Sequence, residues 1–195
     1  MQIYGQAGKP ASKHSTRMVS NPSKHQSLPP SPWILRFAEL VPRAGPVLDL
    51  GAGEGRHTTV FLDRDYAVTA VDRDTTALAA LTRTGLELIV ADLEGDHTWP
   101  LGERRFAGVV VTNYLHRPLL PAIVAAVAPG GVLLYETFAA GNERFGRPAS
   151  PEHLLQPGEL LDIVRGKLRV IAYEDVELTT PRRCMVQRIA AIAAV

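Results

Sequence analysis

Five short apolar runs, Val47–Leu50, Ala67–Val71, Leu86–Ala91, Phe106–Thr112 and Val132–Thr137, alternate with segments of helical spacing. Runs this apolar on both sides of a strand are buried on both faces, and a parallel sheet covered by helices is the arrangement that buries them. The intervening segments carry helix punctuation. Arg56–Arg64 follows the first strand. Asp74 caps a helix running to Arg83, with Gly85 as its stop. A helix from Pro118 to Ala128 is closed by Pro129-Gly130-Gly131, and Leu93–Arg105 reads as a loop. Downstream, Pro157–Arg165 is helical, and Leu168–Val176 and Cys184–Ile192 are two more strands. Their link, Glu177–Arg183, is too short for a crossover and joins antiparallel neighbours. Upstream, Ser31 is an N-cap and Pro32 suits the first helical position. Trp33, Ile34, Phe37 and Leu40 then form an apolar stripe.

The first strand runs into Val47-Leu-Asp-Leu-Gly-Ala-Gly-Glu-Gly-Arg56. Glycines at 51, 53 and 55 let the backbone turn tightly and lie close to a ligand. Two ligand classes use such a strand–loop–helix unit. Dinucleotide folds use G-x-G-x-x-G and set a pyrophosphate on the helix start. Here the spacing is G-x-G-x-G, with Arg56 where the third glycine would fall. Asp49 would repel a diphosphate and suits a cationic ligand. S-adenosylmethionine, with a sulfonium and an ammonium and no phosphate, is such a ligand.

From about Pro32 to the C-terminus the chain resembles class I S-adenosylmethionine-dependent methyltransferases, with motifs in that family's order and spacing. The resemblance implies a Rossmann-like, doubly wound α/β sheet of seven strands in the order 3-2-1-4-5-7-6, strand 7 antiparallel. It implies that Asp49 and the backbone of Gly51, Ala52 and Gly53 hold the methionine part of the cofactor. Asp72, with Arg73 beside it, would take the ribose hydroxyls, since a carboxylate offers two acceptors to a vicinal diol. Asp92 would take the adenine amino group, Leu93 would pack near the ring, and Asn113 would line the mouth where the methyl group is transferred.

Two polar clusters fall at the ligand end of the sheet, Thr112–Pro118 and Glu136–Leu154. The second is long for a strand–helix link and is a candidate lid or substrate clamp. His116 is the candidate general base, because its unperturbed pKa lies near working pH. Asn113 and Tyr114 are candidates to orient an acceptor. Arg117, Arg144 and Arg147 are candidates to hold a carboxylate or another oxyanion. Glu136, ending a buried strand, needs a partner, and one of those arginines could supply it. The plainer readings make Arg56 and His57 structural or rim residues, His153 structural, and Cys184 a core thiol.

Within that resemblance, the motifs favour one acceptor class over others. Thr112-Asn113-Tyr114-Leu115 stands where amino-N methyltransferases carry N-P-P-[YF], and no Pro-Cys nucleophile is present. A small-molecule acceptor remains, and the pattern loosely resembles tellurite-resistance-type methyltransferases. Two other readings stay open: an RNA or protein methyltransferase using a basic tail, and a cofactor-binding protein without catalysis. Residues 1–31 contain Lys9, Lys13, Arg17 and Lys24 but no acid, and read as a disordered basic tail preceding a domain over 32–195. A net charge of +1 disfavours nucleic acid and membrane as partners. One cysteine in 195 residues suits a reducing cytoplasm, and the six histidines lack metal-ligand spacing, so no metal is expected. A monomer or a homodimer fits a chain of this size.

Overall fold

The computed structural model describes residues 28–43, 45–95 and 99–195. Most of the expected basic tail, including its four cations, lies outside the described residues, as do His14, His25 and His97. Seven strands form one sheet: β1 (Val47–Leu50), β2 (Val68–Asp72), β3 (Leu86–Val90), β4 (Phe106–Thr112), β5 (Val127–Phe138), β6 (Leu168–Leu178) and β7 (Cys184–Ala193). Their order is β3-β2-β1-β4-β5-β7-β6. The first five are parallel, and β7 pairs antiparallel with both β5 and β6. This is the expected topology, including the antiparallel last strand.

Period-two alternation in the central strands splits the core into two layers. Val109, Val111, Leu133 and Tyr135 pack on one face. There they meet Ile123 of α4 (Leu120–Ala125) and Leu160 of α5 (Glu159–Val164). Val110, Val132 and Leu134 pack on the other. They meet Trp33 and Ile34 of α1 (Pro32–Phe37) and Phe61 of α2 (Arg56–Leu62). Ser31 caps α1 as expected, its hydroxyl oxygen accepting from Trp33 N.

The helices are shorter than their sequence patterns. The second stops at Leu62 because Asp65 takes a left-handed conformation, φ +63°. The third, α3, spans only Thr76–Ala79, and Thr82 at φ +42° ends any continuation. Leu40 leaves the apolar stripe: the chain tightens into a 3₁₀ turn at Ala38–Leu40, which exposes it. Pro129-Gly130-Gly131 does not close a helix; it lies within β5 at a bulge, where the partners jump from Phe106–Val127 to Gly108–Val132. β6 and β7 run two residues and one residue further than their patterns.

The long loop after β5 is packed down and does not form a free lid. Ala139 bridges to Leu155, and Asn142 is 1% exposed. The Asn142 amide donates to the Pro148 carbonyl at 2.8 Å, and its oxygen accepts from Met185 N of β7 at 3.2 Å. Asn142→Ala removes both bonds and leaves a partly buried N–H and C=O unpaired. It is expected to destabilise the fold by about 2–4 kcal/mol in urea titrations. A loss below 0.5 kcal/mol would show that the loop is not anchored there.

Candidate active site

The carboxyl ends of β1, β2 and β4, with the segment after β3, surround a cavity of about 310 Å³. Gly51 turns the chain out of β1 at φ +68°, and a Cβ there would press on the Tyr114 side chain, 3.2 Å from its Cβ and 3.3 Å from its Cγ. Gly55, at φ +80°, starts α2 so close to Leu78 that any Cβ would collide with it. Gly51, Asp72, Arg73, Asp92, Leu93 and Asn113 all line this cavity, as the motifs imply. Its walls carry three carboxylates, Asp72, Asp92 and Glu94, against one cation, Arg73.

Asp72 also holds the glycine loop. Its Oδ2 accepts from Gly53 N at 2.8 Å and its Oδ1 from Asp74 N at 3.1 Å. Each oxygen keeps a further lone pair for a diol. Asp92 is held similarly, its Oδ1 accepting from Glu94 N at 3.0 Å. Ala52 is buried against Ala70 and Leu78 and is not on the cavity wall. Gly53 likewise is off the wall and acts through its bond to Asp72.

Asp49 departs from its expected place. It is 1% exposed, behind the loop, and its Oδ2 accepts from the Thr58 hydroxyl at 2.6 Å. Burial pushes its carboxyl up to about 6, against the lowering effects of Thr58 and the Arg56 charge. It acts as a buried acid under the site, without direct contact with the cavity.

Tyr114 stands on the wall of this cavity. Its hydroxyl is buried with no hydrogen-bond partner among the described residues. Burial, reinforced by the negative charge of Glu94, Asp92 and Asp72, holds the phenol above its usual range, so it stays a neutral donor. An unpaired buried donor costs stability until something accepts from it. His116 lines neither this cavity nor the neighbouring one described next. It precedes a 3₁₀ turn at Arg117–Leu119.

A second cavity, about 500 Å³, adjoins the first and shares Asn113 with it. Asn113 has φ +54°, a left-handed conformation that asparagine tolerates better than most residues. Leu28–Pro32 walls one side of this cavity. The rest of the wall comes from α2, the end of β5 and the β6–β7 hairpin, through Arg56, Glu136, Phe138, Arg182, Cys184 and Arg188. Cys184 is buried as expected, and burial raises its thiol pKa.

The arginines are distributed differently from the sequence reading. Arg117 is fully engaged: it pairs with Glu159 at 2.8 and 2.9 Å and donates to the Glu152 and Leu154 carbonyls. Arg144 folds back on the Gly141 carbonyl and over Phe145. Arg147 lies on an outer surface beside Pro148 and His153. Glu136 pairs instead with Arg188, at 3.4 Å, and Arg188 also binds Glu174 at 2.5 Å. Sequence reading missed this cavity, and the clue available to it was Thr180-Pro-Arg-Arg183 in the hairpin link. His57 proves structural: its Nε2 accepts from Ser31 N at 3.0 Å, and its Nδ1 meets the Thr112 hydroxyl at 3.1 Å. It ties the start of α1 to the end of β4. Burial, with the Arg56 charge, drives its pKa down to about 3, so it is neutral.

Residues 47–131 match the family described as a methyltransferase domain. A trans-aconitate 2-methyltransferase of Sinorhizobium fredii is 33% identical over 124 residues, 60% of this chain. The chain spans about 43% of that enzyme's length. An S-adenosylmethionine-dependent methyltransferase of Methanosarcina mazei has the same fold, with a TM-score of 0.64 at 15% identity over 86% of this chain and 100% of that one. A 1,6-didemethyltoxoflavin N1-methyltransferase of Burkholderia thailandensis, solved with its substrate and S-adenosylhomocysteine, gives 0.60 at 22% identity over 84% and 76% of the two chains. Among the described residues no helix is long and apolar enough to cross a membrane.

Proposed function

We propose that this chain, which carries a methyltransferase domain over residues 47–131 on the class I fold, transfers a methyl group from S-adenosylmethionine to a small-molecule acceptor. The observation that carries the reading is the charge of the cofactor cavity. Three carboxylates against one arginine favour a cationic ligand and oppose a pyrophosphate. The relatives act on small molecules by name, trans-aconitate and 1,6-didemethyltoxoflavin among them, which agrees with an acceptor of that size.

Bound in this cavity, S-adenosylmethionine supplies a methyl group already activated by its positive sulfur, which leaves as a neutral thioether. The protein's work is then placement. Asp72 offers its free lone pairs to the ribose diol, and Asp92 and Leu93 frame the adenine. Asn113, on the wall of both cavities, sits where donor and acceptor meet. Holding the two in line within a dry site supplies most of the acceleration, because little acid–base chemistry is needed. An acceptor that bears a proton loses it as the new bond forms, to solvent or to the Glu136 carboxylate on the wall of the second cavity.

Calorimetry with S-adenosylhomocysteine and with NAD tests the cofactor. Binding of the first at micromolar concentration, with no heat from NAD, is expected. NAD binding without S-adenosylhomocysteine binding would overturn the proposal.

A further inference from the structure

The second cavity carries more positive charge than its own carboxylates neutralise. Arg188 is satisfied by Glu136 and Glu174. Arg56 and Arg182 are not: among the described residues neither has a carboxylate within ion-pairing distance. Arg56 spends one N–H on the Pro29 carbonyl at 3.1 Å. Arg182 lies over the Phe138 ring, 4.9 Å from its centroid. The two guanidiniums face one space. Burial works against the Arg56 charge, the charges of Glu136 and Asp49 favour it, and the Arg182 charge opposes it. A cation half withdrawn from water and left unpaired is costly, so the pair makes sense when an anion completes it. The remaining wall is apolar, through Phe138, Leu178, Val186 and Leu28. That combination, two forked donors above an apolar slot of about 500 Å³, is built for a flat or branched organic molecule with an oxyanion at one end.

We propose that the methyl acceptor is an organic carboxylate, gripped by Arg56 and Arg182, with its apolar body against Phe138 and Val186 and its reacting atom toward Asn113. This rests on the methyltransferase reading and moves the oxyanion-holding role from Arg117, Arg144 and Arg147 to two arginines on other elements. Glu136, already claimed by Arg188, sets a limit: a cationic head group in the slot would have to displace that pair.

The test uses 2-naphthoate and its neutral isostere 2-naphthamide, titrated into the full chain with and without saturating S-adenosylhomocysteine. The carboxylate is expected to bind at least tenfold more tightly than the amide. Arg182→Gln and Arg56→Gln should each erase most of that preference, while Arg147→Gln leaves it intact. Arg182 is exposed, so its replacement leaves the fold in place. Equal affinity for the two probes, including no binding of either at millimolar concentration, overturns the inference. So does a preference that survives both Arg182→Gln and Arg56→Gln. The cofactor titration is a separate reading. If S-adenosylhomocysteine binds and the carboxylate preference is absent, the acceptor class is wrong and the methyltransferase proposal stands. If S-adenosylhomocysteine fails to bind, the titrations without it still decide the anion preference of the cavity.

Discussion

Asp72→Ala is expected to weaken S-adenosylmethionine binding by roughly 10²- to 10³-fold while the fold persists. The proposed ribose diol donates to both carboxylate oxygens, and a hydrogen bond to a charged group contributes about 1.5–3 kcal/mol. Two such bonds, taken near the lower end, amount to about 3–4 kcal/mol, and each 1.4 kcal/mol is about tenfold in affinity. The same change frees Gly53 N, which Asp72 Oδ2 now holds at 2.8 Å, so the glycine loop loses part of its shape as well. Asp72→Asn keeps one acceptor and should fall between. Calorimetry measures the affinity, and circular dichroism with a thermal melt checks the fold. An alanine variant that binds within fivefold of the parent would remove Asp72 from the ribose contact.

The second large effect is a pair of opposed pH dependences. His57, buried and neutral with a pKa near 3, meets an unfolded state in which it titrates near 6.5. Between those values the unfolded chain binds the extra proton, so stability falls as pH drops, by about 5 kcal/mol across the window. Asp49 runs the other way. Its folded pKa is near 6 against 3.8 unfolded, so the native state binds the proton first and stability rises by about 3 kcal/mol as pH drops from 6 to 4. Over that range the two contributions nearly cancel. Subtraction against single variants exposes each, because every other group drops out of the difference. The stability advantage of Asp49→Asn over the parent should shrink by about 3 kcal/mol between pH 7 and 4. The parent's advantage over His57→Gln should shrink by a similar amount over the same range. Urea unfolding of the apo protein at each pH measures both, and a difference that does not change with pH would contradict the buried states assigned here.

The architecture was legible because its signals are local. Strand apolarity, the Ser31 cap and the short β6–β7 link each depend on a few neighbouring residues, and together they leave one sheet order. The first cavity was legible for the same reason: Gly51, Asp72 and Asp92 stand at the ends of consecutive strands, so topology alone gathers them. Asp49 shows the limit of that logic. It lies on the right strand, but alternation points its carboxylate at Thr58, behind the wall.

The second cavity depends on contacts between distant parts of the chain. Arg117 looked free in the sequence and is consumed by Glu159, 42 residues away. Glu136 finds Arg188 because β5 and β7 pair with those residues opposite each other. Arg56 and Arg182 share a cavity only because α2 and the β6–β7 hairpin pack at the same end of the sheet. A strand's apolar pattern is written in its own residues. The neighbour that a long charged side chain meets is written in the register and packing of elements far apart, so the fold and the first cavity could be read along the chain, and the second cavity required the folded molecule.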